Sequence, residues 1–101
     1  MKIIWTAAAR VDLRAIRAWF DERNQTAGGH VVREIREAVS LLQSQPMLGR
    51  VGQINGTREL IIQRHPYLVI YEVQPGNIRV LSLFHTARAW WLDVDGADDL
   101  D

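Results

Sequence analysis

His85 and Arg88 stand three residues apart at the end of an apolar run, VLSLFHTARAW over residues 80–90. An imidazole titrates near neutral pH and can take or give a proton. A guanidinium forks onto phosphate or carboxylate. A strand with these two groups at its tip is either building a site or simply leaving the core. Arg58 and Arg64 bracket a second apolar stretch, RELIIQR, and Tyr71 lies in a third, YLVIYEV. Glu59, next to Arg58, serves as a base if its pKa is raised, or simply pairs across strands. His65 precedes a proline in a turn and is read as structural. His30 begins a helix and is read as exposed. Three scattered histidines form no ligand set, so neither a metal nor an organic cofactor is implied.

The elements that must carry these groups are legible from periodicity. KIIW (residues 2–5) reads as a short strand, and Thr6 can cap the helix that follows. From Ala7 to about Arg23, Leu13, Ile16 and Phe20 fall on one helical face with Ala9 a turn earlier, while Arg10, Arg14 and Arg17 line another. NQTAGG (24–29) breaks the pattern, with Gly28 and Gly29 placed at the start of a second helix. That helix runs to about Gln45 with Val31, Ile35, Val39 and Leu42 as its apolar stripe. Pro46 ends it, and PMLGR is a turn. The period then changes to two, giving strands near 58–64, 67–73 and 78–85. His65-Pro66 and QPGN separate them, and QPGN carries strong turn chemistry. YLVIYEV is apolar on both faces, as a central strand should be. The reading is an α+β domain of order β-α-α-β-β-β: an antiparallel sheet packed on an N-terminal helix hairpin, its other face partly open.

A chain of 101 residues is one small domain, here residues 1–91, followed by an acidic tail at 92–101 with almost nothing to bury. The composition, 48% hydrophobic and 24% charged, is that of an ordinary globular protein. No apolar run is long enough for a membrane helix, and the N-terminus does not read as a signal peptide. With no cysteine, thiolate metal sites and disulfides are excluded, and the expected compartment is the cytoplasm. The formal charge is zero but unevenly placed. Residues 1–90 hold all 12 basic side chains and seven acidic ones, whereas 91–101 hold five aspartates and no base.

Five short motifs follow one another along nearly the whole chain. They are W-T-x-x-A-x-x-D-L-x-x-I at 5–16, P-x-x-G-R at 46–50, G-x-R-E-L at 56–60, P-Y-x-x-x-Y at 66–71 and H-x-x-R at 85–88. In this order and spacing the chain resembles the RelE/ParE superfamily of bacterial toxins from type II toxin–antitoxin systems. The resemblance implies a small sheet packed on a helix hairpin, in agreement with the periodicity. It also implies a cognate antitoxin that wraps an extended or helical segment around the toxin in a hetero-oligomer. Operator DNA is then bound only through the antitoxin.

The superfamily divides by target. RelE-like members cut mRNA in the ribosome, and ParE-like members poison DNA gyrase. For RNA cleavage a 2′-hydroxyl must lose a proton, the leaving oxygen must gain one, and charge on the phosphate must be stabilised. His85 would then be the acid or base, Arg58, Arg64 and Arg88 would hold the phosphate, and Tyr71 would stack on a base or donate a hydrogen bond. Ribosome-dependent members tend to be strongly basic, with lysines around the phosphate. This chain is neutral and its one lysine is Lys2. The reading therefore favours a gyrase-directed toxin, with Arg10, Arg14, Arg17, Tyr71 and Arg88 as target contacts and Trp90 and Trp91 as an antitoxin surface. An mRNA endoribonuclease and an inactive antitoxin-binding decoy are the alternatives.

Overall fold

A computed structural model describes residues 1–86 of the chain. Its elements are β1 (Lys2–Trp5), α1 (Ala7–Asp21), α2 (Gln25–Ser40), a 3-10 turn (Leu41–Gln43), β2 (Arg50–Val51), β3 (Arg58–Ile61), β4 (Tyr67–Gln74) and β5 (Asn77–His85). They form a five-stranded sheet of order β1-β5-β4-β3-β2, with the helix hairpin packed on one face. The α+β architecture and the succession of strand, helix hairpin and strands agree with the reading from sequence, with one short strand, β2, added to the expected order and the sheet mixed rather than wholly antiparallel. The meander β3-β4-β5 is antiparallel, and β1 completes the sheet by joining β5 in parallel.

The first motif is the hinge of this assembly. Thr6 ends β1, and its hydroxyl both donates to Val80 O at 2.8 Å and accepts from Ala9 N at 3.2 Å. One side chain thus caps α1 and ties it to β5. Pairing of β1 with β5 stops at Trp5↔Val80. Further along the same strand, Leu83 N donates to Asp12 Oδ2 at 3.0 Å. Asp12 therefore takes over the edge hydrogen bonding where β1 runs out. Ala9 and Leu13 pack into the core beneath this contact.

The core takes the predicted stripe, Val31, Ile35 and Val39 of α2 with Leu42 of the 3-10 turn, against Leu60, Val69, Tyr71, Ile78, Val80 and Leu83 of the sheet. From Tyr67 to Tyr71 every residue of β4 is buried, as its central place requires. Ile70 faces Ser82 and Tyr71 faces Val80, so Leu81 is an extra residue in β5 that bends it at a bulge.

Four features differ from the sequence reading, the first being that α2 ends at Ser40 and gives way to the 3-10 turn rather than running to about Gln45. The helix α2 starts at Gln25, because Asn24 Oδ1 accepts from Ala27 N at 3.1 Å and supplies a cap. Gly28 and Gly29 thus sit inside the helix. Strand β3 ends at Ile61 rather than residue 64, as Gln63 and Arg64 turn back towards β4. Strand β2, only two residues long, gave no periodic signal.

Candidate functional site

Residues of the second, third and fourth motifs meet in one buried polar knot. Tyr71 is 0% exposed. Its hydroxyl donates to Pro46 O at 2.8 Å and accepts from Gly49 N at 2.9 Å. Arg58, opposite Tyr71 in the β3–β4 register, donates from Nη1 to Gly49 O at 2.8 Å. Glu59, only 8% exposed, faces Arg50 across β2–β3. Arg50 donates from Nε at 3.0 Å and lies 2.9 Å away through Nη2. Gln53 N donates to the second carboxylate oxygen at 3.1 Å. Every charge and donor brought indoors here has a partner, as burial demands.

This knot bears on two assignments made from sequence. Tyr71 is wholly internal and offers no surface to a target or an RNA base. Glu59 pairs across strands, with Arg50, and with both its oxygens occupied it is held as a structural ion pair and not as a free base.

Burial pushes the Tyr71 phenol above its ordinary value of 10.0, against the opposing pull of the Gly49 hydrogen bond and the Arg58 charge. A raised value in the folded state means that the unfolded chain ionises first. The stabilisation is therefore complete below about pH 10 and is lost as pH rises through the folded-state value. Urea midpoints measured above pH 10 are expected to fall more steeply for the wild type than for Tyr71→Phe. Parallel curves would show that the buried phenol contributes nothing to alkaline unfolding.

Of the residues proposed for phosphate chemistry, Arg58 and His85 stand apart. Arg58 lies opposite Tyr71, and His85 lies opposite Tyr67, at the other end of the buried part of β4. Four residue steps along β4 separate those positions, roughly 13 Å. His85 is half-buried, set edge-on to Tyr67 with ring centroids 5.3 Å apart, in a cleft with Asp12, Trp19, Phe20 and His65. Arg64 is exposed in the β3–β4 turn at φ 75°. That conformation costs a non-glycine residue about 1 kcal/mol. His65 Nε2 lies 3.2 Å from Glu34 Oε2, an ion-pair distance without hydrogen-bond alignment. This agrees with its structural reading, and His30 is exposed as expected. Arg88, Trp90 and Trp91 lie outside the described residues, as does the acidic tail. Among the described residues no group of acidic and histidine side chains is placed to hold a metal ion. None of their helices is long and apolar enough to cross a membrane.

The arginines of α1 are presented differently. Arg10, Arg14 and Arg17 are all exposed. Arg17 donates from Nε to Asp21 Oδ1 at 3.0 Å, but this pair is open to water and holds the side chain weakly. Arg10 and Arg14, one turn apart, form no ion pair among the described residues. Arg36 of α2 joins them in a cleft floored by Trp5 and Leu13. Sequence reasoning missed Arg36 and Trp5, because only the hairpin and the β1–β5 pairing bring them beside α1.

A helix hairpin laid on this sheet, with its turns locked by the motif residues, defines a toxin of the RelE/ParE superfamily. Residues 3–90 match the family model described as ParE toxin of type II toxin–antitoxin system, parDE, and the chain belongs to that family. It is 33% identical over 89 residues to the Sinorhizobium fredii protein named "Putative toxin Y4kP", a match that spans 88% of this chain and 92% of the relative. Toxin RelE2 of Caulobacter vibrioides is 29% identical over 87 residues, spanning 86% and 97% of the two chains. A solved structure from the chromosomal ParDE toxin–antitoxin system of P. aeruginosa superposes with a TM-score of 0.77 at 27% identity. The match covers 84% of this chain and 95% of that one. The protein is thus the toxin component of a type II toxin–antitoxin system, and its partner is a cognate antitoxin.

Proposed function

We propose that this toxin acts in the bacterial cytoplasm by inhibiting DNA gyrase. The observation that carries the reading is the engagement of Arg58, Glu59 and Tyr71 within the fold. Arg58 is bound to Gly49 O, Glu59 to Arg50, and Tyr71 is internal, while His85 stands apart from all three. Exposed Arg10 and Arg14, with Arg17, remain for charge-assisted contact with a macromolecular target.

The antitoxin, on this reading, lays a segment in the groove of about 860 Å³ between α2 and the edge of β3. Because β2 pairs only with Arg58 and Glu59, no strand among the described residues covers the edge of β3 at Ile61. Leu41, Leu48, Val51 and Ile61 are exposed beside it. An extended peptide could pair with that edge and bury those side chains.

The test gives the antitoxin-free toxin gyrase with supercoiled plasmid and, separately, a translating ribosome with a defined message. Cleaved or unsupercoiled plasmid is expected, with activity retained in His85→Ala. Codon-phased cuts in the message that vanish in His85→Ala would replace this reading with the endoribonuclease. Inactivity in both assays, with the antitoxin still bound, would leave the decoy.

A further inference from the structure

We propose that the cleft formed by β1, α1 and α2 binds the phosphodiester backbone of nucleic acid directly, through Arg10, Arg14 and Arg36 over Trp5. The cleft measures about 330 Å³ and is lined by Trp5, Arg10, Leu13, Arg14 and Arg36. Three guanidiniums share it, and among the described residues no carboxylate lines it. None of the three has an ion pair or hydrogen bond among the described residues. Asp12, the acid nearest in sequence to Arg10 and Arg14, is turned inward onto Leu83 N. Like charges one helical turn apart repel by a few tenths of a kcal/mol. That arrangement is unfavourable until an anion arrives. Residues 1–90 hold 12 basic and seven acidic side chains, and three of those cations are gathered in this one cleft.

The aromatic floor distinguishes a nucleic acid from an acidic peptide. The Arg36 guanidinium carbon lies 5.8 Å from the Trp5 ring centroid, so cation and indole occupy one site. A polynucleotide uses both, its phosphates on the guanidiniums and its base or sugar against the ring. A string of carboxylates uses only the cations. Arg10 and Arg14, about 6 Å apart at their Cβ atoms, and Arg36 from the neighbouring helix set a short row of cations along the cleft. A nucleic-acid strand carries a phosphate every 3.4 Å or so along its axis and can meet that row continuously. This contact is additional to the antitoxin's hold on operator DNA, and it does not depend on which machine the toxin inhibits.

The experiment uses the full chain with fluorescein-labelled single-stranded and duplex oligonucleotides, and reads anisotropy across a salt series. Binding is expected to weaken linearly on log–log axes. Each of Arg10→Gln, Arg14→Gln and Arg36→Gln should flatten the slope by about 0.7 for the single strand or about 0.9 for the duplex. Arg23→Gln, which removes an exposed cation at the far end of α1, should leave the slope unchanged. All three cleft arginines are exposed, so circular dichroism of the variants should match the wild type. A loss in Trp5→Leu confined to the single strand identifies an unpaired strand as the natural source, and equal behaviour of both probes identifies the duplex. Wild-type affinity and slope in the triple variant, or no binding by the wild type, overturns the proposal. Equal competition by oligo-aspartate reassigns the cleft to an acidic protein. Gyrase is absent from the assay, so such a failure leaves the gyrase reading standing.

Discussion

Gly49→Ala is expected to lower the unfolding free energy by about 3 kcal/mol, read as a shift of the urea midpoint at unchanged m-value. A Cβ at this position would lie 2.8 Å from Glu59 O, Tyr71 Cε1 and Tyr71 Oη alike. None of these can step aside cheaply. The Glu59 carbonyl belongs to β3, and the Tyr71 ring is fully buried and held by Pro46 O. Tyr71→Phe alone should cost about 2 kcal/mol, since it strips a partner from Gly49 N and Pro46 O at once. The two changes should not add. With the hydroxyl gone, one of three clashes disappears and the hydrogen bond the alanine would distort no longer exists. A coupling of about 1 kcal/mol is therefore expected in the double-mutant cycle. Strict additivity would show that the 46–50 turn is not fastened by Tyr71.

The same knot explains why the resemblance to a family was strong while the target stayed open. Thr6, Asp12, Gly49, Arg58, Glu59 and Tyr71 supply much of what makes the motifs specific, and each is bound to another part of this fold. Motifs built of fasteners report the architecture and say little about what it acts on. The helical stripes and the meander were legible because each is a local period, repeated often enough to outweigh single exceptions. Strand β2 was not, since two residues cannot display an alternation. Nor was the parallel joining of β1 to β5, which links residues about 75 positions apart. Tyr71 could be read as core or as contact until the 46–50 turn was seen to close over its hydroxyl. The cleft of Trp5, Arg10, Arg14 and Arg36 was half visible, because the helical period groups Arg10 with Arg14 but says nothing of residues on other elements.

Neighbouring glycines in α2 should respond to alanine with opposite sign. Gly28→Ala places a Cβ 2.7 Å from Phe20 Cβ, with Arg17 Cδ and Nε at 3.5 and 3.6 Å. The blocking atom is the root of a side chain on α1 and moves only if that helix moves. Alanine gains about 1 kcal/mol of helix propensity over glycine, but the overlap should exceed it and leave a net loss of about 2 kcal/mol. Gly29→Ala meets nothing within 4 Å and should keep the propensity gain of up to about 1 kcal/mol. Both residues read as breakers in the sequence, yet only Gly28 sets how closely the hairpin closes. That spacing also places Arg36 against Arg10 and Arg14. Gly28→Ala is therefore expected to weaken gyrase inhibition and oligonucleotide binding beyond its effect on the folded fraction, whereas Gly29→Ala should raise the urea midpoint and leave both untouched. Equal shifts in the same direction for the two variants would mean that propensity alone governs this turn and that α1 and α2 are free to move apart.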